Sequence, residues 1–285
     1  MRILLLALLS FLSSSLLANL AVAQDTELQI IPVVPLKTAP SLDGSSQDWL
    51  DVPGVEIPLV YLSQPVQTKT VLFKAGVFKD QVYFYSEWED STEDIFHKPH
   101  VWDESKAKYV EGPQREDRFA LEFAMSGDYD ANWYSGKEFK ADMWNWKAAR
   151  TNPIQISHDK MTVISRSALP ESYRASLPDG SFLYIQRPND SNEEPYETKR
   201  YFKKQQDLML KYIPREQLHK GTDDIKAKGV WSAGKWHLEQ SRLLDTQQVD
   251  DVKFALGTSV KAAIAVFDHD DNERHFTSKT LVFQF

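Results

Sequence analysis

The sequence predicts a mainly β protein: an antiparallel β-sandwich of immunoglobulin-like or jelly-roll-like type, with helical and loop insertions. Three observations predict it. Short runs rich in Val, Ile, Phe, Tyr and Trp recur along the chain, separated by turn residues. Only one segment has a helical pattern, and no internal repeat or low-complexity tract is present. The 285 residues contain no Cys, so burial alone must supply the stability, and many short strands bury most when two sheets pack face to face.

In chain order, residues 1–23 read as a secretory signal peptide: Arg2, an apolar and Ser-rich stretch, then Ala21-Val22-Ala23 as the cleavage site. Residues 24–40 read as a Pro-punctuated lead-in, and 41–285 as a single domain. The clearest hairpin is "TKTVLFKAGVFKDQVYFYSEWED". Its strands are Val71–Phe78 and Val82–Trp88, and Lys79-Asp80-Gln81 makes the turn. Further strands are expected at Asp117–Met125, Asp142–Ala148, Lys160–Ser167 and Phe182–Gln186. A second hairpin spans Gly229–Leu244 around "SAGK", and the closing strands lie in Phe254–Phe267 and Thr277–Phe285. Thr198–Leu218 is the helical segment, interrupted by Pro214. Asp90–Gln114 and Pro170–Thr222 read as long loops over the sandwich.

Composition narrows the function. Lys and Arg number 33 against 41 Asp and Glu, and removing a signal peptide that contains Arg2 leaves 32 − 41 = −9. That charge excludes nucleic acid as the expected partner and fits a periplasmic or secreted protein that meets a basic patch on another protein. No stretch after the signal peptide is long and apolar enough to span a bilayer. Without Cys there is no covalent c-type haem and no thiolate for zinc or an iron–sulfur cluster. Hydrolase, nucleotide-binding and zinc-protease motifs are absent. Asp268-x-Asp270-x-Asn272 imitates the start of an EF-hand loop, but Glu273 and Lys279 stand where Gly and Glu are needed. His97 and His100 have a metal-like spacing that Pro99 breaks, and His237 reads as an ordinary strand residue. In "ADMWNWKAAR", Trp144 and Trp146 share one strand face and Met143, Asn145 and Lys147 the other. The Trp pair suits a core, a sugar-stacking platform or a haem wall.

Longer strings carry a resemblance. "REDRFALEFAMSGDYDANWYSGKEFKADMWNWKAARTNPIQISHDK", the opening "PSLDGSSQDWLDVPGVEIPL", the hairpin "DIKAKGVWSAGKWHLEQSRLL" and the closing "AIAVFDHDDNERHFTS" resemble the haem-binding domain family of the ethylbenzene dehydrogenase γ subunit, with its relatives among the γ subunits of DMSO-reductase-type molybdenum enzymes. The resemblance runs from about Pro40 to the C-terminus. It implies a sandwich that holds one non-covalent haem b and moves electrons, with no catalytic site of its own. The expected partner is a redox protein, either a molybdenum enzyme or a membrane cytochrome subunit. It further implies axial iron ligation by Met125 and by His275, which stands where the best-known relatives have Lys; Lys279 is the fallback. Trp144 and Trp146 would wall the group, and Lys147 and Arg150 would pair with its propionates. The alternative expectation is a carbohydrate-binding sandwich module of family-9 type without haem, which shares the "DG…W" opening and uses Trp pairs for stacking.

Overall fold

A computed structural model describes residues 28–61, 67–270 and 274–285. The signal-peptide expectation, residues 1–23, lies outside them, as does the Asn272–Glu273 part of the EF-hand-like string. Among the described residues the regular secondary structure is almost all strand, with three short 3-10 turns. None of their helices is long and apolar enough to cross a membrane.

The main sheet curls until its two halves face each other. One half runs through Tyr173–Ser176, Phe182–Gln186, His158–Ser165, Phe139–Lys147, Arg118–Gly127 and Ser259–Phe267. The other runs through Val55–Tyr61, Thr68–Phe78, Gln81–Glu89, Lys235–Leu243 and Lys226–Ser232. The short strand Phe276–Thr277 bridges them on one side. Between the halves lies an aromatic core. Phe84 packs on Trp144 at 5.4 Å and on Phe123 at 5.7 Å, and Trp88 stacks on Phe119 at 5.3 Å. Burying such rings dominates the stability, because each removes a large apolar area from water.

The expected hairpin forms, with Lys79 in the left-handed region (φ 56°) and Phe78 opposite Gln81. Its second strand is buried on both faces. Val82, Phe84 and Trp88 enter the main core, while Tyr83 and Tyr85 lie under a lid built from Trp49 and Val52. The "DG…W" string holds that lid down. The Asp43 and Gly44 amides donate to Glu239 Oε2 at 2.8 and 2.7 Å, and Trp49 Nε1 donates to Glu239 Oε1 at 2.7 Å. Gly44 sits at φ 79°, which a residue with a Cβ adopts only under strain. In the second hairpin, Ala233 and Gly234 (φ 50° and 80°) form the two-residue turn. Trp236 Nε1 then donates to Asp117 Oδ2 at 2.9 Å across the sandwich.

Three expectations are corrected. The lead-in contains a strand, Gln29–Pro35, which pairs in parallel with Leu281–Gln284 and with Thr68–Phe78. The loop expected at Asp90–Gln114 contains the hairpin His100–Asp103/Lys108–Glu111. The helical segment is not helical: Leu208–Met209 pairs with His100–Asp103, and Tyr212–Pro214 with Tyr196–Thr198. Its apolar residues have no common face to bury, since Phe202 is 90 % exposed, and propensity without a packed face does not sustain a helix in water.

Gly229 gives the first test of the packing. A Cβ there would lie 2.3 Å from the ring of Trp146, which is fully buried and cannot retreat. Gly229→Ala is expected to cost about 1–3 kcal/mol by chemical denaturation, and an unchanged unfolding free energy would contradict this packing.

Candidate functional site

Strand alternation decides which side chains reach the outer face of the first half-sheet. Phe119, Leu121 and Phe123 point into the main core, as do Ile264 and Val266 on the neighbouring strand and Trp144 and Trp146 on the other neighbour. Their alternates therefore face outward: Arg118, Ala120, Glu122 and Ala124; Ala263, Ala265 and Phe267; Met143, Asn145 and Lys147. Alanine is uncommon in strands. Four alanines gathered here leave room for groups lying flat on the sheet.

Part of that room is taken by the segment after the Arg118–Gly127 strand. Glu122 lies beneath it at 4 % exposure, and accepts from Tyr129 OH at 3.0 Å and Trp133 Nε1 at 3.1 Å. Burial pushes the Glu122 carboxyl above its ordinary range. The rest is a patch floored by Ala120, Ala265 and Met143 and bordered by Trp133 on one side and Phe267 on the other. The His275 ring stacks on Phe267 at 4.7 Å and 29°, and the Arg118 guanidinium lies 4.1 Å from the same ring. Arg118 is held by donating to the Asp270 carbonyl at 2.9 Å. The cluster thus gathers apolar side chains, one imidazole, one thioether and a cation, with Ala120, Met143, Phe267 and Arg118 buried and the Met143 sulfur accepting from Asn145 Nδ2.

The structure does not bring Met125 and His275 together. Phe276 pairs with Val266, and Val266 with Phe119; Met125 lies six residues beyond Phe119, about 20 Å along the strand. Met125 also packs against the inner core, whereas His275 lies on the outer-face ring of Phe267. Axial ligands of one iron must approach within a few ångströms of each other, so this pair does not fit a shared haem. Trp144 and Trp146 are fully buried and present no ring face to a haem or a sugar; the core reading of the pair is the one the fold adopts. Lys279 is exposed in the turn before the last strand.

Lys147 and Arg150 sit elsewhere, in a cluster beneath the strand Tyr196–Thr198. Lys147 Nζ donates to His158 Nδ1 at 2.5 Å and to Tyr196 OH at 3.1 Å. Arg150 Nε donates to Glu116 Oε1 at 2.5 Å, and its Nη1 reaches Tyr196 OH at 3.1 Å. Burial, then the charge of Arg150, hold the Lys147 amine well below its usual range. Both side chains are engaged inside the protein, so neither is placed to meet a propionate. His97 and His100 are likewise spoken for separately. His97 lies 3.4 Å from Glu116 and is pushed down to about 2, mainly by burial, while His100 Nε2 lies 2.9 Å from the Lys199 carbonyl. His237 Nδ1 pairs with Tyr85 OH at 2.8 Å.

Sequence reasoning missed Met143 and Trp133. The signal for Met143 was present: it alternates with the Trp pair, and once those rings enter the core it must face outward.

The family model described as ethylbenzene dehydrogenase matches residues 46–278. No curated protein matches. Among solved structures, a carbohydrate-binding protein from Bacteroides uniformis aligns over 90 % of this chain and 91 % of that one, at 10 % identity and a TM-score of 0.45. A family 9 carbohydrate-binding module from Caldicellulosiruptor kristjanssonii, bound to glucose, aligns over 88 % and 85 % at 10 % identity and a TM-score of 0.36. The same module bound to cellotriose aligns over 89 % and 84 % at 12 % identity and a TM-score of 0.36.

Proposed function

The chain belongs to the ethylbenzene dehydrogenase family, and from that premise we propose that it is an exported b-type haem protein that transfers electrons for a respiratory oxidoreductase. The observation that supports the reading is the outer-face cluster, in which Met143 and Phe267 pack with Ala120 and the His275 ring stacks on Phe267; Met143 is buried and three strands away from His275, so one iron held by both would require this face to open. In this reading His275 keeps its expected role as an iron ligand, and Met143 takes the role first assigned to Met125. The haem would supply a one-electron couple, and a thioether ligand favours its reduced form.

The chain's own residues hold and orient. Ala120 and Ala265 carry only a methyl group each and would leave the most space above the sheet for the group. Phe267 fixes the His275 ring by stacking, and Arg118, buried between the Phe267 ring and the Asp270 carbonyl, is the cation nearest the patch. Glu122, through its bond to Trp133 Nε1, pins the opposite wall. Two side-chain ligands leave no open coordination position, which suits electron transfer rather than substrate chemistry. The expected partner is a molybdenum-enzyme or membrane cytochrome subunit.

The test is haem titration followed by oxidised and reduced visible spectra. The wild type is expected to bind one haem per chain with a dithionite-induced shift of the Soret band. His275→Ala and Met143→Leu should each change the spectrum, and Met125→Leu should leave it unchanged. A wild type that binds no haem overturns the reading. A Met125→Leu change with Met143→Leu silent returns the thioether role to Met125.

A further inference from the structure

A second concentration of ionisable groups lies between the two half-sheets, away from the patch. Arg242 Nη1 donates to Asp142 Oδ2 at 2.7 Å and lies 3.3 Å from Asp251 Oδ1 and 3.8 Å from Asp159 Oδ2. Gln248 Nε2 joins a fourth carboxylate to the group: it donates to Asp224 Oδ2 at 2.9 Å and reaches Asp251 Oδ2 at 3.4 Å. When ionised, four carboxylates around one guanidinium leave three charges without compensation.

Hydrogen bonds do not make up the difference. Asp142 Oδ1, Asp251 Oδ1 and Gln240 Oε1 are buried oxygens that accept none, and Asp159 Oδ2 and Asp224 Oδ1 have no donor except each other's carboxyl. Asp142 and Gln240 are 0 % exposed and Asp159 2 %, so bulk water does not serve them. Gln240 belongs to the group by alternation, two residues before Arg242 on the same strand face. Its Nε2 donates to Ser157 Oγ at 2.8 Å, and Ser157 precedes Asp159 by two residues. Buried acceptors without donors are rare, and this many in one place point to a missing positive group.

The geometry suits a single ion. Asp142, Asp159 and Asp251 each offer a carboxylate oxygen within 4.8 Å of the others, about twice a calcium–oxygen bond of ~2.4 Å. The donors are all oxygen, which selects a hard cation over zinc or copper. We propose that this cluster is a structural site for one calcium ion, ligated by Asp142, Asp159 and Asp251 and completed by Asp224. Arg242 holds Asp142 from one side and lies beside Asp251 and Asp159, and the ion satisfies the carboxylate oxygens that no donor hydrogen-bonds. The site ties residues 244–252, which carry Asp251, to the half-sheet that carries Asp142 and Asp159. The competing account is that the carboxylates share protons and need no ion.

The experiment uses the full chain, stripped with chelator and studied at pH 7.5. Equilibrium dialysis is expected to find one tightly bound calcium per chain. Saturating calcium should raise Tm by about 5 °C, with magnesium doing less. Asp159→Asn and Asp251→Asn should each abolish the rise, while matching or exceeding the parent's Tm in chelator because each removes an uncompensated charge. A parent whose Tm ignores calcium overturns the proposal, and so does a rise that survives in both variants, because the ion then binds elsewhere. If an Asn variant does not fold, terbium decides. The Trp144 ring lies 4.9 Å from the Arg242 guanidinium, so Trp144→Phe should cut Trp-sensitised terbium emission several-fold. Emission unchanged in that variant counts against the site.

Discussion

Arg242→Met is expected to destabilise the protein by about 3–5 kcal/mol at neutral pH in the presence of chelator, read from denaturant unfolding. Methionine fills much of the space and preserves the contacts with Trp144 and Phe254 that the guanidinium now makes at 4.9 and 5.6 Å. The loss is therefore mainly electrostatic. The substitution strips Asp142, Asp159 and Asp251 of their internal cation. It also removes the donor to the Val252 carbonyl at 2.6 Å, which holds residues 244–252 against the core. A double variant with Asp142→Asn should recover part of the loss, because one fewer buried charge is then left alone. If Arg242→Met costs under about 1 kcal/mol, the cluster is already neutral by protonation and the ion-pair account fails.

The second large effect is on pH. Asp117 is fully buried; its carboxyl is pushed from 3.8 up to about 7, by burial first and the charge of Asp90 second. The folded state then binds a proton between about pH 4 and pH 7 that the unfolded chain has released. The Asp117 contribution to stability therefore falls as pH rises through that window and levels off above it, while His97 and His158, both held neutral mainly by burial, act in the opposite direction below about pH 6.5. A shift of this size corresponds to about 4 kcal/mol across the window. Burial raises Asp142 and Asp159 as well, so they act in the same direction. Unfolding free energies of the parent and of Asp117→Asn at pH 5 and pH 7, all with chelator, isolate the Asp117 contribution, and a variant whose change between the two pH values equals the parent's contradicts it. Asp117→Asn should flatten the profile. It should also lower stability at every pH, since an amide cannot accept all three donors now served, the Asp94 amide, the His269 amide and Trp236 Nε1.

Periodicity located the strands well where it was strong. The Thr68–Phe78/Gln81–Glu89 hairpin and the Lys226–Ser232/Lys235–Leu243 hairpin formed where turn chemistry and β-branched runs agreed. It failed for Thr198–Leu218, because a helical pattern is only a request for a face to pack against, and the fold supplies none there. It failed at Gln29–Pro35 because that strand is completed by residues near the far end of the chain, Leu281–Gln284. The family strings proved to be structural devices when seen in place. Asp43, Gly44 and Trp49 converge on Glu239, and Trp236 and Arg242 reach across to Asp117 and Asp142.

By itself the sequence determined the mainly β class, the family, the alternation of Met143 with the Trp pair, and the proximity of His275 to the last turn of the sandwich. These depend on local spacing, which a single chain carries openly. Only the tertiary structure decided which face of that alternation is inside, that Met125 and His275 lie on opposite faces about 20 Å apart, and that Asp142, Asp159, Asp224 and Asp251 surround one guanidinium. Those facts depend on register and on contacts between residues as much as a hundred positions apart, such as Asp142 and Arg242. A one-residue slip in pairing would reverse every one of them, and no local pattern encodes it.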